Sequence, residues 1–363
     1  MDAAPGRDSD DDNDVGYSNT KSYLEYTRET FARWFCRCCQ GPRSRGSSSP
    51  AQRAFFLPVV LMYLIVCSTT LAKCYELRST LRSGHDLKYR YRGASTPIPR
   101  ANVLFIHPVG VGIASWFFAP MMTDEKLMCC NLIAPDLRGC GDSELVDLNK
   151  DGIFLPLDWT RDCEAVMAEE VSDLPTVVVA QGGIAPVALQ LGRRNKVTNL
   201  ASLILTSPPV YKDLIMPIDK GEFSRNLKAL QFLKTGVRWL LCRRSAIKFF
   251  SNLFLFAGEA DDRFLDEATS DAQTPLKIEP VLLFNSGALF TRSWEEEIAS
   301  LGERLHVVSG AKESQERKDG RLTYGEFGGT LSEVPESCNV IPYEAAEEFE
   351  KVIEKVVLSY IQV

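Results

Sequence analysis

Short apolar runs, each bounded by turn residues, recur along the chain from residue 102 onward. They are rich in β-branched residues, as buried parallel strands are. They lie at 102–107, 128–134, 176–180, 201–206, 280–284 and 304–308. Segments with apolar residues at helical spacing separate them. Strands that alternate with helices predict an α/β fold with a mostly parallel, doubly wound sheet and helices on both faces.

The stretch 210–256 interrupts this alternation. It has apolar residues at helical spacing and many more basic than acidic side chains. Helices inserted between two strands form a lid over the carboxyl ends of a sheet, where open α/β folds bind ligands, so we predict a helical lid over 210–274. Its basic faces have two interpretations: solvated faces of ordinary amphipathic helices, or a surface for anionic lipid or a membrane.

A different pattern precedes the alternating region. Residues 1–14 are rich in aspartate, and 40–50 are typical of a flexible linker. Residues 54–72 carry no charge over 19 positions, a length close to that of a membrane-spanning helix. We interpret this run as a membrane anchor, with a buried helix on the core as the alternative. The predicted organisation is a disordered tail and linker (1–50), a hydrophobic helix (51–75), a first core half (85–209), the lid (210–274) and a second core half (275–363).

The composition of the chain argues against several classes of function. The net charge of −7 and the pI near 5.3 argue against nucleic-acid binding. The eleven cysteines are an odd number, which speaks against a complete disulfide framework and favours a reducing compartment. The chain has three histidines, His85, His107 and His306, and none of them is spaced from another as zinc ligands are. We therefore predict no metal and no cofactor.

Two glycine-rich turns follow the first two predicted strands of the alternating region. The first reads HPVGVG (107–112), and the second reads DLRGCGDS (136–143). They resemble the His-Gly oxyanion turn and the Asp-x-x-Gly-x-Gly-x-Ser turn of the α/β-hydrolases, and the resemblance covers roughly 87–363. With the Gln-Gly elbow described next and the segment NVIPYE (339–344), the chain is also similar to a group of hydrolase-like proteins from cyanobacteria and plastid-bearing eukaryotes. That resemblance adds the plastid to the expected compartments. Together with the apolar run 54–72 and the cysteines, it leads us to expect a membrane-associated protein of the plastid or another reducing compartment, with a soluble plastid or cytosolic protein as the alternative.

The resemblance also implies where the three residues of a catalytic triad would lie in this sequence. Active members end a strand in Gly-x-Ser-x-Gly, with the serine on a strained turn. Here the run 176–180 leads into Gln181-Gly182-Gly183, so a glycine stands at the nucleophile position. The acid is expected after 280–284, where residues 285–289 contain no carboxylate. The base is expected after 304–308, in a long surface loop at 312–338 that contains no histidine, and Asn339 occupies the likely base position.

We therefore predict a catalytically degenerate α/β-hydrolase that binds a small molecule, a lipid or a partner in the former active-site cleft. The oxyanion and pocket candidates are His107, Gly110, Gly112, Gln181, Gly182, Gly183, Arg138 and Asp142. The glycines have a second interpretation, in which they serve only tight turns and close helix packing. The alternative function is an active hydrolase or lyase that uses non-standard residues around the same cleft, such as Gln181, Arg138, Asp142, Asn339 or His107.

Overall fold

The computed structural model describes residues 75–123, 126–152, 156–170, 173–194 and 199–361. The apolar run 54–72, predicted to be an N-terminal helix, lies outside the described residues. Within the described ranges, no helix combines the length and the apolar character needed to cross a membrane.

One eight-stranded sheet organises the described chain. Its strands are β1 (Glu76–Arg82), β2 (His85–Arg92), β3 (Ala101–Ile106), β4 (Cys130–Pro135), β5 (Thr176–Gln181), β6 (Leu200–Thr206), β7 (Leu305–Gly310) and β8 (Thr330–Val334). Their order in the sheet is β1-β2-β4-β3-β5-β6-β7-β8. The first two strands form an antiparallel hairpin, β2 pairs antiparallel with β4, and all other pairs are parallel. The predicted α/β class with a mostly parallel sheet is confirmed.

The helices connect these strands and cover both faces of the sheet. They are α1 (Ala119–Thr123), α2 (Pro156–Glu170), α3 (Ala185–Arg194), α4 (Tyr211–Ile215), α5 (Lys220–Leu241), α6 (Arg244–Phe254), α7 (Asp262–Asp271), α8 (Glu279–Asn285), α9 (Glu295–Leu301), α10 (Gln315–Asp319), α11 (Thr323–Glu326), α12 (Ile341–Glu344) and α13 (Ala346–Ile361).

The central strands are buried on both faces because successive side chains of a strand point in opposite directions. In β5, Val178 and Ala180 pack into the core under α2, α3 and α9, whereas Val177 and Val179 pack into the core under α1 and α13. Every residue of β3, β4 and β5 is buried. This explains why these strands appear in the sequence as continuous apolar runs rather than as alternating ones.

The segment between β6 and β7 forms the lid. Helices α5, α6, α7 and α8 lie in this segment, and each of them contributes a side chain to the cavity wall. The helical segment extends past residue 274, because α8 also belongs to it. At its start, Asp219 caps α5 by accepting hydrogen bonds from the N–H groups of Gly221 (2.8 Å) and Glu222 (3.2 Å).

Two predicted elements differ from the structure. The run 280–284 is not a strand but lies within helix α8, where Leu282 and Leu283 are buried. A short apolar run is the same in a buried helix as in a buried strand, so its pattern does not separate the two. Residues 312–338 are not a plain surface loop either, since they contain α10, α11 and the edge strand β8. The last two strands of the sheet are therefore β7 and β8.

Candidate functional site

A cavity of about 1140 Å³ lies between the carboxyl ends of the strands and the lid. Its walls are mainly apolar, and five aromatic side chains contribute to them: Phe250, Phe254, Phe264, Phe284 and Phe290. The turn after β3, the turn after β5 and the loop after β6 form its floor. Of the sequence-predicted residues, Gly110, Gln181, Gly182, Gly183 and Asn339 line this cavity.

Gly182 stands at the sharp turn that joins β5 to the helix after it. Its φ is +70°, in the left-handed region that favours glycine. An added Cβ would meet no atom within 4 Å, so the direction in which a nucleophile would project is open space. The turn thus keeps the strained geometry of a nucleophile elbow but presents no reactive atom.

Gln181 is a buried amide that joins three segments at the floor of the cavity. Its Oε1 accepts a hydrogen bond from Thr206 Oγ1 at 2.6 Å, and its Nε2 donates to the carbonyl of Asn339. Both ends of the amide are therefore used to hold the ends of β5 and β6 against the loop that follows β8.

Asn339 lies in the loop after β8, where the last triad member is expected from the chain order of α/β-hydrolases. Its N–H donates to Leu255 O at 2.8 Å and its Nδ2 donates to Phe254 O at 2.5 Å. Its Oδ1 accepts from Arg317 Nη1 at 2.9 Å. The asparagine therefore fastens the end of lid helix α6 to the core. A side-chain amide neither gains nor loses a proton near neutral pH, so it does not replace a histidine base.

Glu313 is a carboxylate that sequence reasoning missed. It follows β7, whereas the sequence predicts the acid position after 280–284, a run that lies in helix α8 and not in a strand. The side chain is buried in an ion pair with Arg321 (Nη1 to Oε2, 2.5 Å). Its Oε1 accepts from Ser207 Oγ at 2.7 Å and from the N–H of Gly310 at 2.8 Å. With both oxygens committed to these donors, Glu313 fixes the ends of β6 and β7.

The same network occupies the serine in the cavity wall. Ser207 has a φ of +44°, an uncommon value for a residue with a side chain. Its hydroxyl donates a hydrogen bond to Glu313, and the charge of that carboxylate is already neutralised by Arg321. All three histidines of the chain lie within the described residues, and none lines the cavity. Ser207 therefore has no imidazole to take its proton.

His107 is fully buried beside the cavity floor rather than in the wall. Its Nε2 accepts a hydrogen bond from the N–H of Leu137 at 3.1 Å, so the ring proton is on Nδ1, which donates to Pro108 O at 2.9 Å. Burial lowers the pKa of His107 below its ordinary value. The neutral ring joins the two glycine-rich turns and has no free nitrogen for proton transfer.

Three further candidates do not reach the cavity wall. Gly112 has a φ of +69°, and an added Cβ would lie 1.9 Å from Ala268 O, so it permits close packing of lid helix α7. Arg138 donates to Asp162 Oδ1 at 2.6 Å on the side of the sheet covered by α2. Asp142 is exposed in its turn. These residues therefore shape turns and packing. For Gly112 this agrees with the second interpretation of the glycines, in which they serve tight turns and close helix packing.

Gly110 and Gly183 do lie in the wall, and each of them makes room for one side chain. A Cβ on Gly110 would meet Ile113 at 2.7 Å, and one on Gly183 would meet the ring of Phe284 at 2.4 Å. Phe284 belongs to α8, so the lid rests directly on the turn after β5. The sequence predicts Gly110 and Gly183 as pocket residues but not the Phe284 ring that packs on Gly183. A contact between segments far apart in the chain leaves no local sequence pattern.

Charged residues of the wall were also not predicted. Lys212, Asp213 and Arg317 line the cavity and are exposed to solvent. Arg317 contacts the amide of Asn339, and in the part of the chain that the structure describes no carboxylate lies within 4.0 Å of its guanidinium. The open end of an otherwise apolar cavity therefore carries one acidic and two basic groups.

With this geometry in view, comparisons with known proteins agree on the fold. Residues 103–351 match the model of the alpha/beta hydrolase family, and the chain therefore belongs to that family. Comparison with curated proteins finds no match.

Several solved structures are similar to this chain. A bacterial membrane phospholipase A described as a virulence factor has a TM-score of 0.58 and 14% identity, with 93% of this chain and 99% of that one covered. An esterase from Thermogutta terrifontis has a TM-score of 0.55 and 16% identity over 78% of this chain and 97% of that one. A haloalkane dehalogenase from Agrobacterium tumefaciens has a TM-score of 0.55 and 14% identity over 81% and 99%. Similarity at this identity shows the shared fold alone.

Proposed function

We propose that this protein binds an amphipathic ligand, with an apolar body and an anionic head, in the former active-site cavity and does not perform serine-type acyl transfer. The observation that carries the proposal is Gly182, which keeps the elbow conformation but faces open space where a nucleophile would stand. Acyl transfer needs an attacking atom and a base to take its proton. Gly182 and Asn339 supply neither.

The size and lining of the cavity support an apolar ligand body. At about 1140 Å³ the cavity is slightly larger than the volumes typical of ligand pockets, about 300–1,000 Å³. Its aromatic side chains offer contact area to a chain or ring system, and burying such a ligand contributes about 25 cal/mol for each Å² of apolar surface. A long acyl or polycyclic group therefore fits this cavity better than a small polar metabolite.

The charged end of the cavity supports an anionic head. The guanidinium of Arg317 has two sides on which to donate, and Asn339 occupies one of its nitrogens. Carboxylates and phosphates are the groups that a guanidinium binds best, since they accept two parallel hydrogen bonds. Lys212 adds a second positive charge to the same lining, opposed by Asp213.

Native mass spectrometry of the purified full-length protein tests the binding. The parent is expected to carry a co-purifying ligand that is released on denaturation. Gly182→Leu is expected to lose it, because the new side chain projects into the cavity. The matched control is Gly152→Leu, since Gly152 also has a positive φ (+80°) and open space around its Cβ but lies at the surface. Equal ligand retention in both variants would contradict the cavity as the binding place.

A second assay tests the chemistry separately. Hydrolysis of short-chain nitrophenyl esters by the parent, Gly182→Ser and Asn339→His is expected to stay at the buffer rate, because each variant still lacks a partner group. Turnover by the parent that a serine-directed phosphonate abolishes would contradict the proposal and point to Ser207 or Ser251. Turnover insensitive to that reagent would instead support a hydrolase or lyase that uses non-standard residues.

We propose in addition that residues 54–72 anchor the protein to a membrane. The uncharged 19-residue run motivates this proposal. Carbonate extraction of membranes that contain the full-length protein is expected to leave it in the pellet. Its recovery in the supernatant would contradict the anchor and favour a soluble plastid or cytosolic protein.

A further inference from the structure

The outer face of the lid is unusually apolar for a protein surface. Along α5, Phe232 is 89% exposed and Trp239 is 63% exposed, with Leu233 and Leu240 beside them on the same side of the helix. Along α6, Phe249, Phe250, Leu253 and Phe254 are exposed as well. We call these eight residues the lid face. So many exposed large apolar side chains on two consecutive helices mark an interaction surface rather than ordinary solvent contact.

Basic side chains accompany the lid face. Arg225 and Lys228 lie seven and four residues before Phe232, a spacing that places them on the same side of α5. Arg243, in the turn between α5 and α6, stacks over the ring of Trp239 at 3.6 Å. Within the described ranges no carboxylate lies within 4.0 Å of these three side chains. Glu222 is the acidic residue on this side of the helix, so the net charge of the face is positive.

Three other basic residues of the lid are already neutralised. Arg244 pairs with Asp262 at 2.7 Å and Lys248 pairs with Glu259 at 2.8 Å, both across to the segment around α7, and Lys234 pairs with Glu279 of α8. Arg225, Lys228 and Arg243 therefore leave positive charge without a carboxylate partner among the described residues, on the side that also exposes aromatic rings. An amphipathic surface with aromatic and basic groups together is the type that binds the headgroup region of anionic membranes.

The lid face is continuous with the opening of the cavity. Phe250 and Phe254 are exposed on α6 and also line the cavity, and Leu241 at the end of α5 and Ile247 in α6 line it as well. The rings of Phe249, Phe250 and Phe254 contact one another in sequence, with centroids 5.3 and 6.2 Å apart. An apolar chain that leaves a bilayer at this surface would enter the cavity without crossing water.

We propose that the lid face docks on an anionic phospholipid bilayer. Its aromatic and aliphatic side chains insert at the boundary of the acyl chains, while Arg225, Lys228 and Arg243 contact lipid phosphates. Charge complementarity selects the partner, because a positive apolar face is suited to a negative lipid surface. Docking does not depend on the proposed ligand, because the lid face is the same whether the cavity is empty or filled. The docking test can therefore fail while ligand binding holds.

Fluorescence quenching tests the docking with the full-length protein. Vesicles of phosphatidylglycerol brominated on the acyl chains are mixed with the parent, and tryptophan emission is recorded. Among the tryptophans that the structure describes, Trp116, Trp159 and Trp294 are buried and Trp239 is exposed. Quenching is expected in the parent and is expected to be largely lost in Trp239→Phe, although that variant still sediments with the vesicles. Anchoring by another segment alone would leave the quenching of both proteins equal, and that result would overturn the proposal.

Titration with brominated vesicles tests the chemistry of the face, because quenching of Trp239 reports docking of the lid even when another segment holds the protein on the vesicle. Phe232→Ser is expected to lower the ratio of docked to undocked lid, read from that quenching, roughly tenfold through lost apolar burial, whereas Ile98→Ser, at a 78% exposed position outside the lid, is expected to leave it unchanged. Replacing Arg225 and Lys228 by Gln is expected to lower it by about fivefold each on anionic vesicles and not on phosphatidylcholine vesicles.

Three results would overturn the proposal. These are quenching of Trp239 in the parent that is equal on neutral and anionic brominated vesicles, equal loss of quenching in Phe232→Ser and Ile98→Ser, and a concentration-dependent dimer in sedimentation velocity that Phe232→Ser abolishes while vesicles quench nothing. The last result would identify the lid face as a contact between two copies of the chain.

Discussion

The buried ion pair between Glu313 and Arg321 gives the sharpest test of how the site is held together. Replacing Arg321 by Met keeps the volume of the side chain but removes its charge. Glu313 would then lie buried with only Ser207 Oγ and the Gly310 N–H to stabilise its carboxylate. Arg321 also donates to Pro208 O at 2.7 Å and to Ser309 Oγ at 3.0 Å, so those groups lose a donor as well.

The structure sets the size of the effect. Both side chains are almost fully buried, 3% exposed for Arg321 and 0% for Glu313, so solvent screens the pair little. Removing one partner of such a pair costs about 3–5 kcal/mol, since it leaves an uncompensated charge in the interior. In a domain of this size, with an unfolding entropy of about 0.6 kcal/mol/K, that corresponds to a fall in Tm of roughly 5–8 °C.

Urea unfolding followed by circular dichroism measures the cost. The control is Lys351→Met, because Lys351 pairs with Glu348 at the surface, with 53% and 46% of the side chains exposed, and such pairs contribute about 0–1 kcal/mol. Combining Arg321→Met with Glu313→Gln is expected to recover more than half of the loss, since the amide keeps an acceptor for Ser207 and carries no charge. A single variant as stable as the control, or a double variant no better than the single one, would refute this account of the buried charge.

Three other expectations concern the turns and the lid. Gly112→Ala places a Cβ against Ala268 O in addition to the strain of a positive φ, so it is expected to cost about 2 kcal/mol more than Gly152→Ala and to speed proteolysis within the lid. The pKa of His107 is lowered by burial, so below about pH 6.5 the unfolded chain binds more protons than the folded one. The free energy of unfolding is therefore expected to decrease as the pH is lowered, by up to about 1.4 kcal/mol per pH unit. His107→Gln should flatten that slope in urea titrations between pH 7 and 5, and an unchanged slope would contradict a buried neutral ring. Asp219→Ala removes the cap of α5 and is expected to cost about 1 kcal/mol, visible as faster hydrogen exchange in the first turn of that helix.

The sequence predicted the sheet well where burial is complete on both faces. Strands β3, β4, β5, β6 and β7 lie within one or two residues of the predicted apolar runs. A parallel strand between two layers of helices has no polar face, so its sequence is a continuous apolar run that a local pattern detects. The family followed from the two glycine-rich turns for a similar reason, because a tight turn at a fixed place after a strand requires particular residues in order.

The prediction was wrong where the same local pattern fits two structures. The run 280–284 is apolar and short, and the structure makes it part of α8 over the cavity. That single error displaced the expected acid position and hid Glu313. Strand β8 was missed as well because it is an edge strand with exposed residues such as Thr330 and Leu331, and its sequence has no apolar run.

What the sequence by itself determined is the set of atoms that are absent: Gly182 has no side chain, and the chain has three histidines, none of which follows β8. These facts hold whatever the fold. Only the tertiary structure decided which of the remaining groups meet. In the folded protein Asn339 binds the end of lid helix α6, and Glu313 forms an ion pair with Arg321. Arg138 pairs with Asp162 and does not reach the cavity. The reason is physical, since each of these roles is a contact between segments far apart in the chain, and no local spacing of residues encodes the distance between them.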